Sequence, residues 1–254
     1  MSLVKIESYK NYEILYLNRG NANPINADLC GEITTELRRI ENDGSKRGLI
    51  ITGNTPGYFS VGLDLKELYY HDERTIGHFW YKWDEMLNSL IHFKKPLISA
   101  INGHSPAGGC VIAATCDYRI MADDDKYIIG LNETSVGIAV PENIFLLYQF
   151  WIGKNAAYHC LMDGSLHSPS NALKIGLINE VCNIKEVLCH AKRKMDIWLL
   201  KSDKILQNSK ANMRAQLIKE LKDIEEVSDK EKLKIWFDPK SRELMRSMVL
   251  QLSK

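Results

Sequence analysis

Ser99-Ala-Ile-Asn-Gly-His-Ser-Pro-Ala-Gly-Gly-Cys110, running on through Thr115-Cys-Asp-Tyr-Arg119 to Gly130-Leu-Asn-Glu-Thr134, is the stretch on which the reading of this chain turns. The run from Leu97 to Ile101 reads as a buried strand. Directly after it, Ser105 has the side chain of a helix cap, Pro106 suits a first helical turn, and Gly108-Gly109 let another molecule approach the main chain closely. A helix beginning there presents unpaired amide N–H groups and the positive end of its dipole. That combination favours developing negative charge, which a reaction passing through an oxyanion requires.

Outward from this stretch the pattern alternates. Residues 3–18 interleave apolar and polar side chains around Lys10-Asn11, as a hairpin does, and 27–42 repeat with a helical period that turns Leu29, Ile33, Leu37 and Ile40 inward. A strand follows at 48–52, then a glycine-containing loop at 53–58, helical patterns through 65–93, the strand near 96–102, the helix from Pro106 and a strand-like 117–121. Strands and helices in alternation imply an α/β core. After Asn183 the strand signals stop and Lys/Glu-rich amphipathic helices run to the end. The expected organisation is therefore a core over 1–183 and a helical lid or oligomerisation region over 184–254. No internal sequence repeat is evident.

A chain of 254 residues can bury a large core without disulfides or metal. Its net charge of +1, with both signs interspersed, offers no basic face for nucleic acid and no acidic tail. Cys30, Cys110, Cys116, Cys160, Cys182 and Cys189 show neither a CxxC pair nor zinc-ligand spacing, so they read as reduced packing residues and no metal is expected. No apolar run is long enough to span a bilayer, and no signal core or Arg-rich leader precedes the first strand pattern. The expected location is the cytoplasm, or the mitochondrial matrix after processing.

A second glycine-bearing segment, Gly57-Tyr-Phe-Ser-Val-Gly-Leu-Asp-Leu65, taken alone reads first as an ordinary strand-to-helix turn and second as a sharp turn that aims an amide outward, with Asp64 capping the next helix. Together with the Gly108 segment it could supply two amides to one carbonyl oxygen. With Phe59-Ser-x-Gly-Leu-Asp-Leu65, Asn102-Gly-x-x-Pro-Ala-Gly-Gly-Cys110, Thr115-Cys-Asp-Tyr-Arg119 and Gly130-Leu-Asn-Glu-Thr134 in order, the chain resembles the enoyl-CoA hydratase/isomerase, or crotonase, superfamily over nearly its whole length, and within it the mitochondrial-type 3,2-enoyl-CoA isomerases.

The resemblance implies a spiral of repeated ββα units with a C-terminal helical region, assembled as a trimer or a pair of trimers. It implies oxyanion donors at the amides of Leu63 and Gly108, with Val61, Gly62, Asp64 and Leu65 along the substrate segment, Asn132 shaping the pocket, and Glu133 as the catalytic residue. The expected reaction moves a 3-cis or 3-trans double bond of a fatty acyl-CoA to 2-trans, with no cofactor, CoA being part of the substrate. A carboxylate beside an apolar acyl tunnel has its charged form disfavoured, which raises its pKa toward the range useful for proton transfer.

Val111 stands where hydratases of the two-glutamate type carry their second glutamate. Valine cannot activate water, whereas moving a double bond needs only one proton shuttle, so isomerisation is preferred to hydration. Glu142, after Pro141, reads as an exposed acid in the first turn of a helix or as a second carboxylate for dienoyl isomerisation. His104 reads as a packing residue of its loop or as the acid of a decarboxylase-like reaction. Trp80, Tyr81, Trp83, Trp236 and Phe237 could line an acyl tunnel, with ordinary core burial the preferred reading for most of them. Lys232, Lys234 and Lys240 read as solvated helix charges, with contact to CoA phosphates the rival use. A non-enzymatic acyl-CoA-binding or RNA-binding member of the family is the alternative from another class, against which the near-neutral charge and intact Glu133 weigh.

Overall fold

The computed structural model describes residues 2–224 and 229–252. The hairpin comes first: β1 (Val4–Tyr9) pairs antiparallel with β2 (Tyr12–Leu17), Lys10 taking the left-handed conformation at the turn with φ 44°. In α1 (Ala27–Asn42) the Asn26 side chain accepts from the Leu29 N–H, and the stripe of Leu29, Ile33, Leu37 and Ile40 is fully buried, as its period predicts. Next come β3 (Gly48–Gly53), β4 (Gly57–Tyr58), α2 (Leu65–Leu68) and α3 (Glu73–Ile91), the last capped by Asp72. The second winding is β5 (Leu97–Ile101), β6 (Gly103–Pro106) and α4 (Gly108–Thr115). The third is β7 (Tyr118–Ala122), β8 (Ile129–Gly130), a 3-10 turn at Glu133–Val136 and α5 (Glu142–Ile152).

Each winding gives one strand to each of two sheets. The larger has the order β1-β2-β3-β5-β7-β10, parallel from β2 onward, and the smaller has the order β4-β6-β8-β9. Within the smaller sheet β4, β6 and β8 are parallel neighbours, so the chain leaves all three in the same direction. The segments that follow them therefore emerge side by side. The segments that carry Leu63, Gly108 and Glu133, one from each winding, thus all leave the same edge of the small sheet. The windings repeat in structure with no repeat in sequence, because each side chain answers to its own layer of the core.

The rest of the chain is α6 (Lys154–Met162), β9 (Leu166–His167), α7 (Pro169–Lys174), β10 (Glu180–Cys182), α8 (Val187–Leu199), α9 (Asp203–Asp223), α10 (Asp229–Trp236) and α11 (Pro239–Leu252). The last strand ends at Cys182, where the pattern changes in the sequence. Not all that follows is a lid. Val187, Ala191 and Met195 of α8 are buried in the main core, and a Cβ on Gly48 of β3 would lie 2.5 Å from Met195 Sδ, so α8 packs directly on the large sheet. All six cysteines are free thiols; Cys30, Cys110 and Cys116 are buried. Among the described residues no helix is long and apolar enough to cross a membrane.

Candidate active site

The Leu63 amide is aimed by its neighbours. Ile25 N–H donates to Gly62 O at 2.8 Å and Asp64 N–H donates to Ile25 O at 2.9 Å, making a parallel bridge between Ile25 and Leu63. In such a bridge the central residue turns its own N–H away from its partner. The Leu63 N–H has no hydrogen bond among the described residues. Gly62 makes the turn with φ +85°, and a Cβ there would meet Ala107 Cβ at 2.7 Å and Gly108 N at 2.9 Å. The loop carrying Leu63 thus lies against the loop carrying Gly108.

Gly108 is presented by a strained residue. Ala107 holds φ 50° and ψ −127°, a conformation that L side chains rarely adopt and that costs on the order of 1–3 kcal/mol. Its N–H donates to Gly130 O at 2.7 Å and its carbonyl accepts from Val111 N–H at 3.1 Å. The Gly108 N–H, first of α4, has no hydrogen bond among the described residues. The paired glycines are close-packed: a Cβ on Gly108 would sit 3.1 Å from Trp83 Cη2, and one on Gly109 would sit 2.5 Å from Ser60 O. The cap expected at Ser105 does not form. Ser105 N–H bonds Ile128 O at 2.8 Å, which carries β6 on through Pro106, and the Ser105 hydroxyl is buried without a partner.

Glu133 opens the 3-10 turn that follows β8, and Gly137 closes it in the left-handed conformation. The side chain is 8% exposed, its Oε2 is buried with no hydrogen-bond partner, and burial pushes the carboxyl up to about 7. Its ionisable neighbours do not supply charge. Cys110 Sγ and Tyr148 Oη lie 3.1 Å apart in the core, and burial holds the thiol up at about 12 and raises the phenol as well. A carboxylate with a free oxygen, carried by the strand end that pairs with the one leading to Gly108, has the chemistry to move a proton at carbon next to a carbonyl whose oxygen free amides hold.

The other expected site residues divide. Val61 N–H is used by Ala22 O at 3.1 Å and Gly62 N–H by Ser60 Oγ at 3.1 Å, so within this segment the open donor is Leu63. Asp64 is turned to the scaffold: its carboxylate caps α2 through Glu67 N–H at 3.1 Å and accepts from Arg19 Nη1 at 2.6 Å. Leu65 belongs to the core. Asn132 is half-buried, its carbonyl accepting from Ser135 N–H. Glu142 is exposed at the first residue of α5. His104 is held between the Tyr58 and Tyr127 rings, with centroids at 5.3 and 5.2 Å, and burial lowers its pKa, which suits a packing role. Val111 is 1% exposed in the apolar core. Trp83 borders the amides and Trp80 packs edge-on to Trp236, whereas Tyr81 points to solvent. Lys232 pairs with Asp84.

Sequence reading missed the strain at Ala107 and the Arg19 contact. Neither leaves a local signal, since the first depends on β6 pairing with β8 and the second spans 45 residues.

Comparison with known proteins points the same way as this geometry. The family described as Enoyl-CoA hydratase/isomerase matches residues 10–246. Mitochondrial enoyl-CoA delta isomerase 1 of Mus musculus is 40% identical over 212 residues, which cover 84% of this chain and 73% of the mouse protein; the Homo sapiens protein is 36% identical over the same share of this chain and 70% of its own. The crystal structure of human mitochondrial delta3-delta2-enoyl-CoA isomerase superposes with a TM-score of 0.94 at 31% identity, covering 99% of this chain and 98% of that one. An enoyl-CoA hydratase from Bacillus halodurans shares the fold, with a TM-score of 0.87 at 20% identity over 97% of this chain and all of that one. With the family matched over residues 10–246 and the mouse relative 40% identical over 84% of this chain, this chain belongs to the enoyl-CoA hydratase/isomerase family.

Proposed function

We infer that this chain is an enoyl-CoA isomerase that moves a 3-cis or 3-trans double bond of an unsaturated fatty acyl-CoA to 2-trans. The thioester oxygen is held by the amides of Leu63 and Gly108. Glu133 takes a proton from C2; the C–H electron pair moves into a dienolate whose charge rests on the held oxygen. The same carboxyl then returns the proton at C4, leaving the double bond between C2 and C3. Atoms and electrons balance within the substrate, so no cofactor is required. Removing either amide would leave the enolate oxygen without a donor worth roughly 3–4 kcal/mol in comparable sites.

One observation carries the reading: Glu133 is a buried carboxyl with an unpartnered oxygen and a pKa near the working range, while the position of a second carboxylate is filled by buried Val111. One shuttle suits double-bond migration, and hydration would need a second group to activate water. The test is conversion of 3-cis and 3-trans enoyl-CoA esters of several lengths, with product identification, by the wild type and Glu133→Gln. Formation of 2-trans-enoyl-CoA that requires Glu133, with little 3-hydroxyacyl-CoA, is expected; hydration or no turnover by folded protein would overturn it.

A homotrimer or a pair of trimers is proposed as the assembly. Exposed Tyr158 and Met162 on α6, Leu200 after α8, and Ile205 and Met213 on α9 give it apolar surface to bury, and the mass in solution tests it. The division into a core over 1–183 and a helical region over 184–254 is proposed with α8 counted as a cover of the sheet. The mammalian relatives are mitochondrial by name, which favours the matrix over the cytoplasm for this chain.

A further inference from the structure

The chain that aims the Leu63 amide is gripped from outside the site by a side chain with no part in the proton transfer. Arg19, 16% exposed, follows β2. Its Nη1 donates to Asp64 Oδ2 at 2.6 Å and to Pro24 O at 2.9 Å, and its Nη2 donates to Glu67 Oε2 at 2.5 Å. Pro24 precedes Ile25 and Asp64 follows Leu63. Because the Ile25–Leu63 bridge is parallel, the guanidinium reaches diagonally across it, holding the chain before Ile25 on one strand and after Leu63 on the other. Glu67 is steadied in turn by Asn26 Nδ2, 3.1 Å from each of its oxygens. On the other side, Arg19 N–H donates to Asn23 Oδ1 at 3.0 Å, and Asn23 Nδ2 donates to Phe59 O at 2.9 Å. The loop before α1 and the loop before α2 are thus tied through one planar fork, whose fixed geometry a flexible ammonium cannot reproduce.

We propose that Arg19 is a positioning residue for the oxyanion site: by fixing Asp64 against Pro24 it sets the direction in which the Leu63 N–H points. This rests on the isomerase reading for the identity of the anion, an enolate oxygen of an acyl-CoA. Donors of this kind act through alignment, so a modest rotation of the Leu63 peptide weakens the transition state more than it weakens substrate binding.

The experiment compares wild type, Arg19→Met, Arg19→Lys and Glu67→Gln in steady-state isomerisation. It also measures the ultraviolet absorbance of bound acetoacetyl-CoA, a β-ketothioester whose enolate is stabilised wherever the two amides converge. Arg19→Met is expected to lower kcat roughly 10- to 100-fold with KM changed less than about threefold, and to reduce the enolate absorbance at saturation. Arg19→Lys should recover part of both, and Glu67→Gln should give a smaller loss in the same direction. The acid limb of the pH profile, set by Glu133, should not move. Equal kcat per folded molecule and equal enolate absorbance in Arg19→Met would overturn the proposal. So would a fall in melting temperature with both readouts intact. Should Arg19→Met not fold, Glu67→Gln and Arg19→Lys decide by the same two readouts. If the wild type binds acetoacetyl-CoA as enolate yet isomerises nothing, the isomerase reading fails while the enolate signal still tests Arg19.

Discussion

Ala107 N–H donates to Gly130 O at 2.7 Å, and this bond joins the strand end that delivers Gly108 to the strand end that delivers Glu133. The spacing between one oxyanion donor and the proton shuttle is therefore set by backbone pairing across the small sheet.

Glu133→Gln keeps the shape of the side chain and removes its proton transfer. Isomerisation should fall by roughly 10²–10⁴-fold, the usual worth of a positioned acid–base group. Binding of a saturated acyl-CoA, measured by calorimetry, should stay within a few-fold of wild type, since the amides of Leu63 and Gly108 are untouched.

The pH dependence follows from burial. Glu133 must be ionised to accept the C2 proton, so kcat/KM should rise with pH on a limb centred at about 7. The stability term has the opposite slope. Unfolded, the carboxyl ionises near 4.5, while in the native protein it keeps its proton until about 7; between these values the unfolded chain binds fewer protons, and stability falls as pH rises. At 1.36 kcal/mol per pH unit the loss is on the order of 3 kcal/mol, complete above the native value. Urea denaturation of Glu133→Gln should match wild type below pH 4.5 and exceed it increasingly up to about pH 7.

Gly62→Ala and Gly77→Ala form a contrasting pair. At Gly62 the new Cβ would sit 2.9 Å from Gly108 N in a backbone with φ +85°, while at Gly77, inside α3, nothing lies within 4 Å. Gly62→Ala should lower kcat by about 10²–10³-fold through displacement of the amides. Gly77→Ala should leave kcat unchanged and stabilise the protein by about 0.5–1 kcal/mol, read from the denaturation midpoint.

Ala107→Gly tests the strain. Glycine adopts φ 50°, ψ −127° at no steric cost, so the gain is offset only by the entropy glycine adds to the unfolded chain. A net stabilisation of about 1 kcal/mol is expected, with kcat retained because the Gly130 hydrogen bond remains. A destabilised variant would show that the conformation is not strained.

The longer elements were legible from their patterns: the inward stripe of α1 follows a helical period, the hairpin turns at Lys10-Asn11, and Leu97–Ile101 is a largely apolar run buried at every residue. Motif resemblance put Leu63, Gly108 and Glu133 together, which no period could do. The two-residue strands β4 and β8 are too short to carry a pattern, and they are what bring the windings into line. Ser105 shows the cost of reading locally, since its capping chemistry was overruled by a backbone bond to Ile128 from a later winding. Asp64 shows the converse: its capping of α2 was legible, and its engagement with Arg19 was not.

The three parallel strand ends give the enzyme an internal audit of its own assembly. Leu63, Gly108 and Glu133 come from successive windings, so a chain halted after two of them holds a complete pair of anion donors and no base. A one-residue slip of β8 against β6 would shift the turn that carries Glu133 relative to the strand end that carries Gly108. Turnover therefore reports on register across seventy residues of chain, and misfolded copies that escape by hydrophobic collapse alone would be catalytically silent.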